Sequence, residues 1–280
     1  MNKSVKELNL FAAKIRKAAL RSMNSFHGGH VGGSMSMSDL MAALYGEIMK
    51  IDPKNPQWEE RDWLVVSKGH CGPAVYGTLA LMGYFPEDEL ETLNKEGTRL
   101  PSHCDRNRTP GIDMTTGSLG QGVSCAVGAA WAMQYKKMPN YVYTILGDGE
   151  CDEGQVWEAA LFAATKKLGH LIGFVDYNKK QLDGFTKDIC DLGDMRQKFE
   201  DFGWHAQEVD GHDIEAIVNA VAVAKKVTDK PSMIVLNTIK GKDCCFADMY
   251  YNHFIRFSQE DYDAAVKELD AKIAKLESEG

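Results

Sequence analysis

The pattern that decides the fold lies in residues 141–184, YVYTILGDGECDEGQVWEAALFAATKKLGHLIGFVDYNKKQLDG. An apolar run, Tyr141–Leu146, ends in Gly-Asp-Gly, and a second apolar run, Leu171–Val175, ends in Asp-Tyr-Asn. With the helix-like segment between them, these runs predict a strand–helix–strand unit. Ligands bind at the carboxyl ends of parallel strands, so Asp148 and Asn178 are expected to converge there. Their side-chain oxygens suit Mg²⁺ or Ca²⁺.

Composition narrows the class of protein. The 280 residues suffice for one large domain with a buried core. A net charge of -8 argues against nucleic acid or an anionic membrane as the main partner. The N-terminal segment MNKSVKELNLFAAKIRKAAL is interrupted by charges and has no signal-peptide core. Scattered cysteines without a Cys-x-x-Cys pair argue against a zinc site and favour a reduced, cytoplasmic location.

Strand-like and helix-like segments alternate along the rest of the chain. Strands are predicted at 63–66, 204–209 and 232–239, and helices at 5–24, 38–48, 73–82, 123–135 and 213–226. Pro86 is expected to open a further helix, and a capping box at Ser258 the last one. Residues 25–37 and 94–116 are expected to be irregular. This alternation predicts a doubly wound, mainly parallel α/β sheet with helices on both faces, in a single domain over residues 1–280.

Histidines recur in loops rich in small residues. His30 lies in GGHVGGSMS, His70 in SKGHCGPAVYG and His103 in PSHCD, and TTGSLGQG follows at residues 115–122. Each histidine alone is more commonly a surface or loop residue than a catalytic one. Glycine clusters indicate that the backbone approaches a ligand closely at several points.

The Gly-Asp-Gly and the later Asn resemble the diphosphate–metal motif of thiamine-diphosphate enzymes. The resemblance implies that Mg²⁺, with Ca²⁺ or Mn²⁺ as alternatives, is held by Asp148, Asn178 and the carbonyl of Lys180. The metal would bridge the two phosphates of thiamine diphosphate. Gly149 would bring its amide to a phosphate oxygen without a clashing side chain. Tyr177 departs from the Asn or Asp usual in the family, but that position is not a ligand.

Together with GDGxxxEG, the histidine loops resemble those of transketolase, in the family's order, from the first helix to about residue 239. The resemblance implies that His70 lies against the cofactor diphosphate. It also implies that His30 and His103 act on the hydroxyls and the oxyanion of the sugar substrates. A neutral imidazole can accept and return a proton. The residues implied to contact thiamine are Gly117, Ser118 and Leu119.

Two further assignments rest on weaker matches to the transketolase motifs. His253 matches a fourth transketolase histidine, although it lies in Tyr-Asn-His-Phe where the family commonly has Trp-His-Gly. Glu153, grouped with the cofactor-binding residues, and Glu158 fall at family positions near the subunit interface that couple two active sites. An equally simple interpretation is that both are acids favoured at a helix N-terminus.

The resemblance stops short of a complete transketolase. The glutamate that activates thiamine belongs to a pyrimidine-binding domain, which is absent from this sequence together with the C-terminal domain. Arginines for a sugar phosphate are absent too. We therefore predict the N-terminal subunit of a split transketolase, active with a complementary C-terminal subunit in a two-plus-two heterotetramer. The predicted reaction transfers a two-carbon ketol unit from a ketose, expected to be phosphorylated, to an aldose, as in pentose phosphate metabolism.

Two alternatives stay open from the sequence. One is the alpha component of another two-subunit thiamine-diphosphate enzyme, of the 2-oxoacid dehydrogenase type. The other is a non-catalytic, cofactor-binding regulatory subunit. The histidine loops and TTGSLGQG favour transketolase over both.

Overall fold

A computed structural model describes residues 1–278. Its strands are β1 (Gly28–Gly29), β2 (Trp63–Val66), β3 (Val142–Gly147), β4 (Leu171–Tyr177), β5 (His205–Asp210), β6 (Ser232–Asn237) and β7 (Ile255–Arg256). Five of them form a parallel sheet in the order β2-β3-β4-β6-β5, while β1 and β7 pair antiparallel. The predicted mainly parallel sheet is confirmed.

Helices cover both faces of this sheet. They are α1 (Val5–Asn24), α2 (Val31–Ser36), α3 (Ser38–Ala43), α4 (Gly72–Leu81), α5 (Gln121–Tyr135), α6 (Gly154–Thr165), α7 (Thr186–Ile189), α8 (Met195–Asp201), α9 (Ile214–Ala224) and α10 (Gln259–Ser278). One hydrophobic core lies under α1, α3, α4 and α9, and the other under α5, α6 and α8. On β4, Ile172 and Phe174 point into the first core and Leu171 and Val175 into the second. A strand buried on both faces has to be apolar throughout, which explains its continuous run.

Most element boundaries agree with the sequence to within a few residues. The predicted capping box of the last helix is present, since the Ser258 amide donates to Asp261 Oδ2 (2.9 Å) and the Asp261 amide donates to Ser258 Oγ (3.1 Å). Residues 94–116, all within the described part of the chain, contain no helix or strand.

None of the helices in residues 1–278 has the length and apolar character needed to span a bilayer.

Two predictions of local structure were wrong. Residues 25–37 contain α2, and a π-helical turn, Leu44–Ile48, replaces the end of the helix predicted at 38–48. Pro86 does precede a helix, the 3₁₀ helix Glu87–Thr92, whereas α7 and α8 were not predicted. Glycine-rich α2 has poor intrinsic propensity, so tertiary contacts decide its conformation. A Cβ on Gly32 would lie 2.3 Å from the Asn252 carbonyl oxygen, which shows how tightly α2 is enclosed.

Candidate active site

The carboxyl edge of the sheet brings together the oxygen atoms singled out in the sequence. Asp148 follows β3 and Asn178 follows β4, and the two strands pair in parallel register. The amide of Lys179 donates to Asp148 Oδ2, and the amide of Gly149 donates to Asp148 Oδ1 (2.9 Å). Asn178 Oδ1 accepts from the Lys180 amide at 3.2 Å. The two loops are therefore tied to each other through the Asp148 carboxylate.

A cavity of about 200 Å³ opens at this edge. Of the residues predicted for the site, its walls include His70, Leu119, Asp148, Gly149, Asn178, Lys180 and His253. Glu153 and Glu158 are exposed on or beside α6 and do not line it. Gly117 lies beside His103, because a Cβ on Gly117 would be 3.4 Å from His103 Cδ2. Ser118 is exposed, next to Leu119.

The four predicted histidines form one cluster. The ring centroid of His30 lies 5.1 Å from that of His70, 5.5 Å from that of His103 and 5.3 Å from that of His253. The rings of His70 and His253 are 4.6 Å apart. Pairing of β1 with β7 explains the contact between His30 and His253, since each histidine lies next to one of these short strands.

Burial keeps this cluster uncharged. It lowers the pKa of His30 to about 4, with a further contribution from His103, and lowers the pKa of His253 to about 3, with a further contribution from Lys240. The pKa of His70 lies well below its usual value, and burial also lowers that of His103. Neutral imidazoles at neutral pH can accept a proton from a substrate hydroxyl and return it.

A buried ion pair behind the cavity was missed in the sequence. Lys68 Nζ donates to Asp176 Oδ2 at 2.6 Å, and both side chains are almost fully buried. The same carboxylate accepts from Ser36 Oγ and Asn178 Nδ2, so it orients the Asn178 amide. The Lys68 ammonium lowers the pKa of Asp176, although burial alone would raise it. The sequence did contain a signal for this pair. Asp176 places a carboxylate inside the apolar run of β4, and a buried charge requires a partner.

Lys240 was missed as well. It follows β6 at the same edge, and its Nζ donates to the carbonyl of Lys180 at 2.8 Å and lies 3.4 Å from His253 Nδ1. Burial lowers the pKa of Lys240, and the neighbouring Lys68 lowers it further. A lysine immediately after a parallel strand was the available signal, since ligands bind at that end.

Glu150 is the fourth residue that was missed. Its carboxylate accepts from Ser67 Oγ (2.5 Å) and from the amides of Gly120 (2.9 Å) and Gly147 (3.1 Å). One buried side chain thus fixes the loops after β2 and β3 and the start of α5. The segment Gly117–Leu119 immediately precedes this anchor, so its position depends on Glu150.

The arrangement fits a divalent metal bound to a diphosphate. No group of three His, Cys, Asp or Glu side chains in residues 1–278 could hold a metal, but Asp148, Asn178 and the Lys180 carbonyl supply three hard oxygens of mixed type. Burial and the Asp176 carboxylate raise the pKa of Asp148, whereas burial lowers that of Lys240. A cation beside the Asp148 carboxylate would lower its pKa again, and an anion beside the Lys240 ammonium would raise the pKa of that lysine.

Two glycines that line the cavity pack closely against neighbouring side chains. A Cβ on Gly149 would lie 2.6 Å from Gln181 Cβ, and a Cβ on Gly33 would lie 2.7 Å from Cys71 Sγ. Both glycines line the cavity, where bare backbone allows close approach of a phosphate. The fold and site therefore define an α/β domain with a ligand-binding cavity at the carboxyl ends of its strands.

The family follows from comparison with known proteins. Residues 8–271 match the family model described as transketolase, thiamine diphosphate binding domain. The chain therefore belongs to the transketolase family. It is 56% identical over 261 residues to the 6-deoxy-6-sulfo-D-fructose transketolase subunit of Clostridium sp. (strain MSTE9), covering 93% of this chain and 95% of that one. It is 40% identical to one of the subunits of the apulose-4-phosphate transketolase of Actinobacillus succinogenes, covering 88% and 90%.

Solved structures agree with this assignment. A transketolase mutant from Pichia stipitis superposes with a TM-score of 0.87 at 33% identity, covering 97% of this chain and 41% of that one. The transketolase from Leishmania mexicana gives a TM-score of 0.86 at 31% identity, covering 99% and 45%. The chain thus spans less than half of these full-length transketolases. The family supports a role as a transketolase component over the two alternatives left open by the sequence.

Proposed function

We propose that this chain is the diphosphate-binding subunit of a two-subunit transketolase. In this proposal it transfers a two-carbon ketol unit from a ketose with an anionic terminal group to an aldose. The observation that carries the proposal is the cluster of four histidines beside a cavity whose walls include the Asp148 carboxylate and the Lys240 ammonium. When bound, thiamine diphosphate supplies the electron sink for carbon–carbon bond cleavage.

Each subsite has its own residues in this proposal. Asp148, Asn178 and the Lys180 carbonyl hold Mg²⁺, for which Ca²⁺ or Mn²⁺ can substitute. The Gly149 amide, His70 and Lys240 hold the diphosphate. The lysine ammonium, now on the Lys180 carbonyl, has a flexible stem and can turn from that oxygen to a phosphate.

Proton transfer falls to the histidines farther from the diphosphate. His30 contacts all three other rings and has its pKa lowered to about 4, so it is neutral and able to take a proton from a sugar hydroxyl. His103 is exposed at the outer side of the cluster, where an acceptor sugar would enter, and the ring of His253 lies against those of both His30 and His70. Glu153 and Glu158, exposed near α6, are proposed to face a neighbouring subunit rather than the cofactor.

A second chain completes the site in this proposal. Cavities that enclose a drug-sized ligand are roughly 300–1,000 Å³, whereas this one measures about 200 Å³, which suits one end of a cofactor. Relatives of similar length are named as subunits, and the chain covers only 36% of Transketolase 1 of Escherichia coli. We propose a two-plus-two heterotetramer with a C-terminal subunit that carries the pyrimidine-binding domain. The free cysteines support a cytoplasmic location.

The substrate follows from the most similar relatives reported above. The 56% identical relative is named for 6-deoxy-6-sulfo-D-fructose, and the 40% identical one for apulose-4-phosphate. Both names describe a sugar with an anionic end. The higher identity favours a sulfonated ketose as donor, in place of the phosphorylated ketose expected from the sequence.

The test is reconstitution with a complementary C-terminal subunit. Turnover is measured with 6-deoxy-6-sulfofructose, fructose 6-phosphate and unsubstituted fructose, with and without thiamine diphosphate and Mg²⁺. Asp148→Ala is expected to abolish cofactor binding and turnover together, while Asp270→Ala, in an exposed ion pair with Lys17, leaves both unchanged. Unchanged turnover in Asp148→Ala would refute the metal assignment. Activity confined to 2-oxoacids with a lipoyl acceptor would refute the transketolase reaction.

A further inference from the structure

The loop that carries Lys240 is held at both ends by one polar network, which is centred on the buried Arg16 side chain. At its start, the Ile239 amide donates to His212 Nε2 at 2.9 Å. At its end, Asp243 Oδ2 lies 3.4 Å from Arg16 Nη1 and accepts from Lys272 Nζ at 2.6 Å. None of these network residues lines the cavity. The network therefore reaches the site through the backbone of the loop, and it also contacts α2, where Arg16 Nε donates to the Met35 carbonyl at 3.3 Å.

Arg16 is the centre of this network. Its side chain is 1% exposed and forms a bidentate pair with Asp39, with one contact of 3.0 Å from Nη1 to Oδ1. Asp39 also lies 2.7 Å from His212 Nδ1. Burial alone would raise the pKa of Asp39, but the Arg16 guanidinium outweighs it and His212 adds to the effect, so the pKa is lowered to about 2. The carboxylate is thus a permanent acceptor for both neighbours.

These contacts determine the tautomer of His212. Because the Ile239 amide donates to Nε2, that nitrogen carries no proton. The proton therefore lies on Nδ1 and is donated to the Asp39 carboxylate. The Ile239 amide thus donates to His212, and His212 donates to Asp39. The ion pair with Arg16 holds the Asp39 carboxylate in place.

We infer that His212 is a positioning residue that orients Lys240 toward the cofactor diphosphate by fixing the amide of Ile239. This inference rests on the role proposed above for Lys240. The residues after Lys240 have their own anchors, since the Gly241 amide donates to the Gly32 carbonyl (3.0 Å) and Asn252 Nδ2 donates to the Lys240 carbonyl (3.0 Å). Ile239 is exposed, so its amide relies on His212 for a fixed protein partner before Lys240.

The test compares two substitutions of one residue. In His212→Asn the shorter amide can still donate to Asp39 but cannot reach Ile239. In His212→Gln the longer amide offers a donor and an acceptor side by side, as the imidazole does. The reconstituted complex is titrated with thiamine diphosphate and Mg²⁺ by isothermal calorimetry. His212→Asn is expected to weaken the affinity about tenfold, because a tenfold change corresponds to about 1.4 kcal/mol, the size of one hydrogen bond.

A double-mutant cycle shows whether the effect passes through Lys240. Lys240→Met is expected to weaken cofactor binding, and adding His212→Asn to it is expected to cause less than about a twofold further loss. His212→Gln is expected to retain most of the affinity. His170→Asn is the matched control, a half-buried histidine at the opposite end of the sheet, and is expected to bind normally.

Three outcomes would overturn the inference. The first is an equal loss from His212→Asn with and without Lys240, which would indicate general damage to the fold. The second is a normal affinity in His212→Asn while Lys240→Met binds weakly. The third is a normal affinity in Lys240→Met, which would remove the proposed role of that lysine as well. Failure of the proposed function is recognised separately, by full turnover in Asp148→Ala.

Discussion

Replacing Lys68 by Met tests how much the buried ion pair behind the cavity contributes to the free energy of unfolding. Lys68 and Asp176 are 2% and 1% exposed in their side chains, and their charged atoms are 2.6 Å apart. Methionine is close in size to lysine, so the main change is the loss of the charge beside a buried carboxylate. Removing one partner of a buried pair typically costs about 3–5 kcal/mol, against a total stability of about 5–15 kcal/mol.

Urea unfolding followed by circular dichroism measures this effect. Lys17→Met is the matched control, because Lys17 and Asp270 are 42% and 50% exposed in their ion pair. Exposed pairs contribute about 0–1 kcal/mol. Adding Asp176→Asn to Lys68→Met is expected to recover part of the loss, since it removes the unpaired charge. Equal losses in Lys68→Met and Lys17→Met, or a further loss in the double variant, would refute the reasoning.

Three further predictions concern glycine packing, pH and ligand binding. Gly33→Ala is expected to lower the free energy of unfolding by roughly 1–3 kcal/mol, because its Cβ would lie 2.7 Å from Cys71 Sγ. Gly128→Ala, in open space within α5, should raise it by about 0.5–1 kcal/mol; effects of the same sign in the urea titration would contradict one of the two predictions. The stability contributed by His30 should be lost as the pH falls from 6.5 to about 4, since its pKa is lowered from 6.5 to about 4 and the unfolded chain takes up this proton first. Urea midpoints of the unchanged chain and of His30→Asn across this pH range check the sign, because their difference isolates the contribution of His30. Thiamine diphosphate with Mg²⁺ at 100 times its Kd should stabilise the complex by about 2.7 kcal/mol, and a melting temperature that EDTA does not lower would argue against a metal-dependent site.

Local patterns in the sequence were enough to predict the sheet and much of the site. A continuous apolar run followed by a charged turn marks a buried parallel strand, and such runs placed Asp148 and Asn178 at one edge. Short motifs with glycine and histidine pointed to some of the other residues that line the cavity, including His70, Leu119 and Gly149. Each of these signals depends on neighbours within one loop or one strand end, and the roles assigned to the residues remain predictions.

Other features could not be predicted from local patterns. Helix α2 forms where glycine propensity opposes it, because contacts with Asn252 and Cys71 enclose it. Glu153 was grouped with the cofactor-binding residues, and both Glu153 and Glu158 were assigned to a subunit interface. These assignments remain predictions, since both side chains are exposed outside the cavity. Lys240 was overlooked because nothing beside it in the sequence shows that its ammonium reaches the Lys180 carbonyl.

The sequence by itself determined the α/β class and the edge of the sheet at which Asp148 and Asn178 lie, because strand periodicity and loop composition are local properties. Only the tertiary structure decided which charges are paired. Lys68 meets Asp176, and Arg16 meets Asp39, across long separations in the chain. Burial removes these groups from water, so their partners and protonation states depend on the packing of distant elements. The same packing turns four ordinary loop histidines into one neutral cluster beside Asp148 and Asn178.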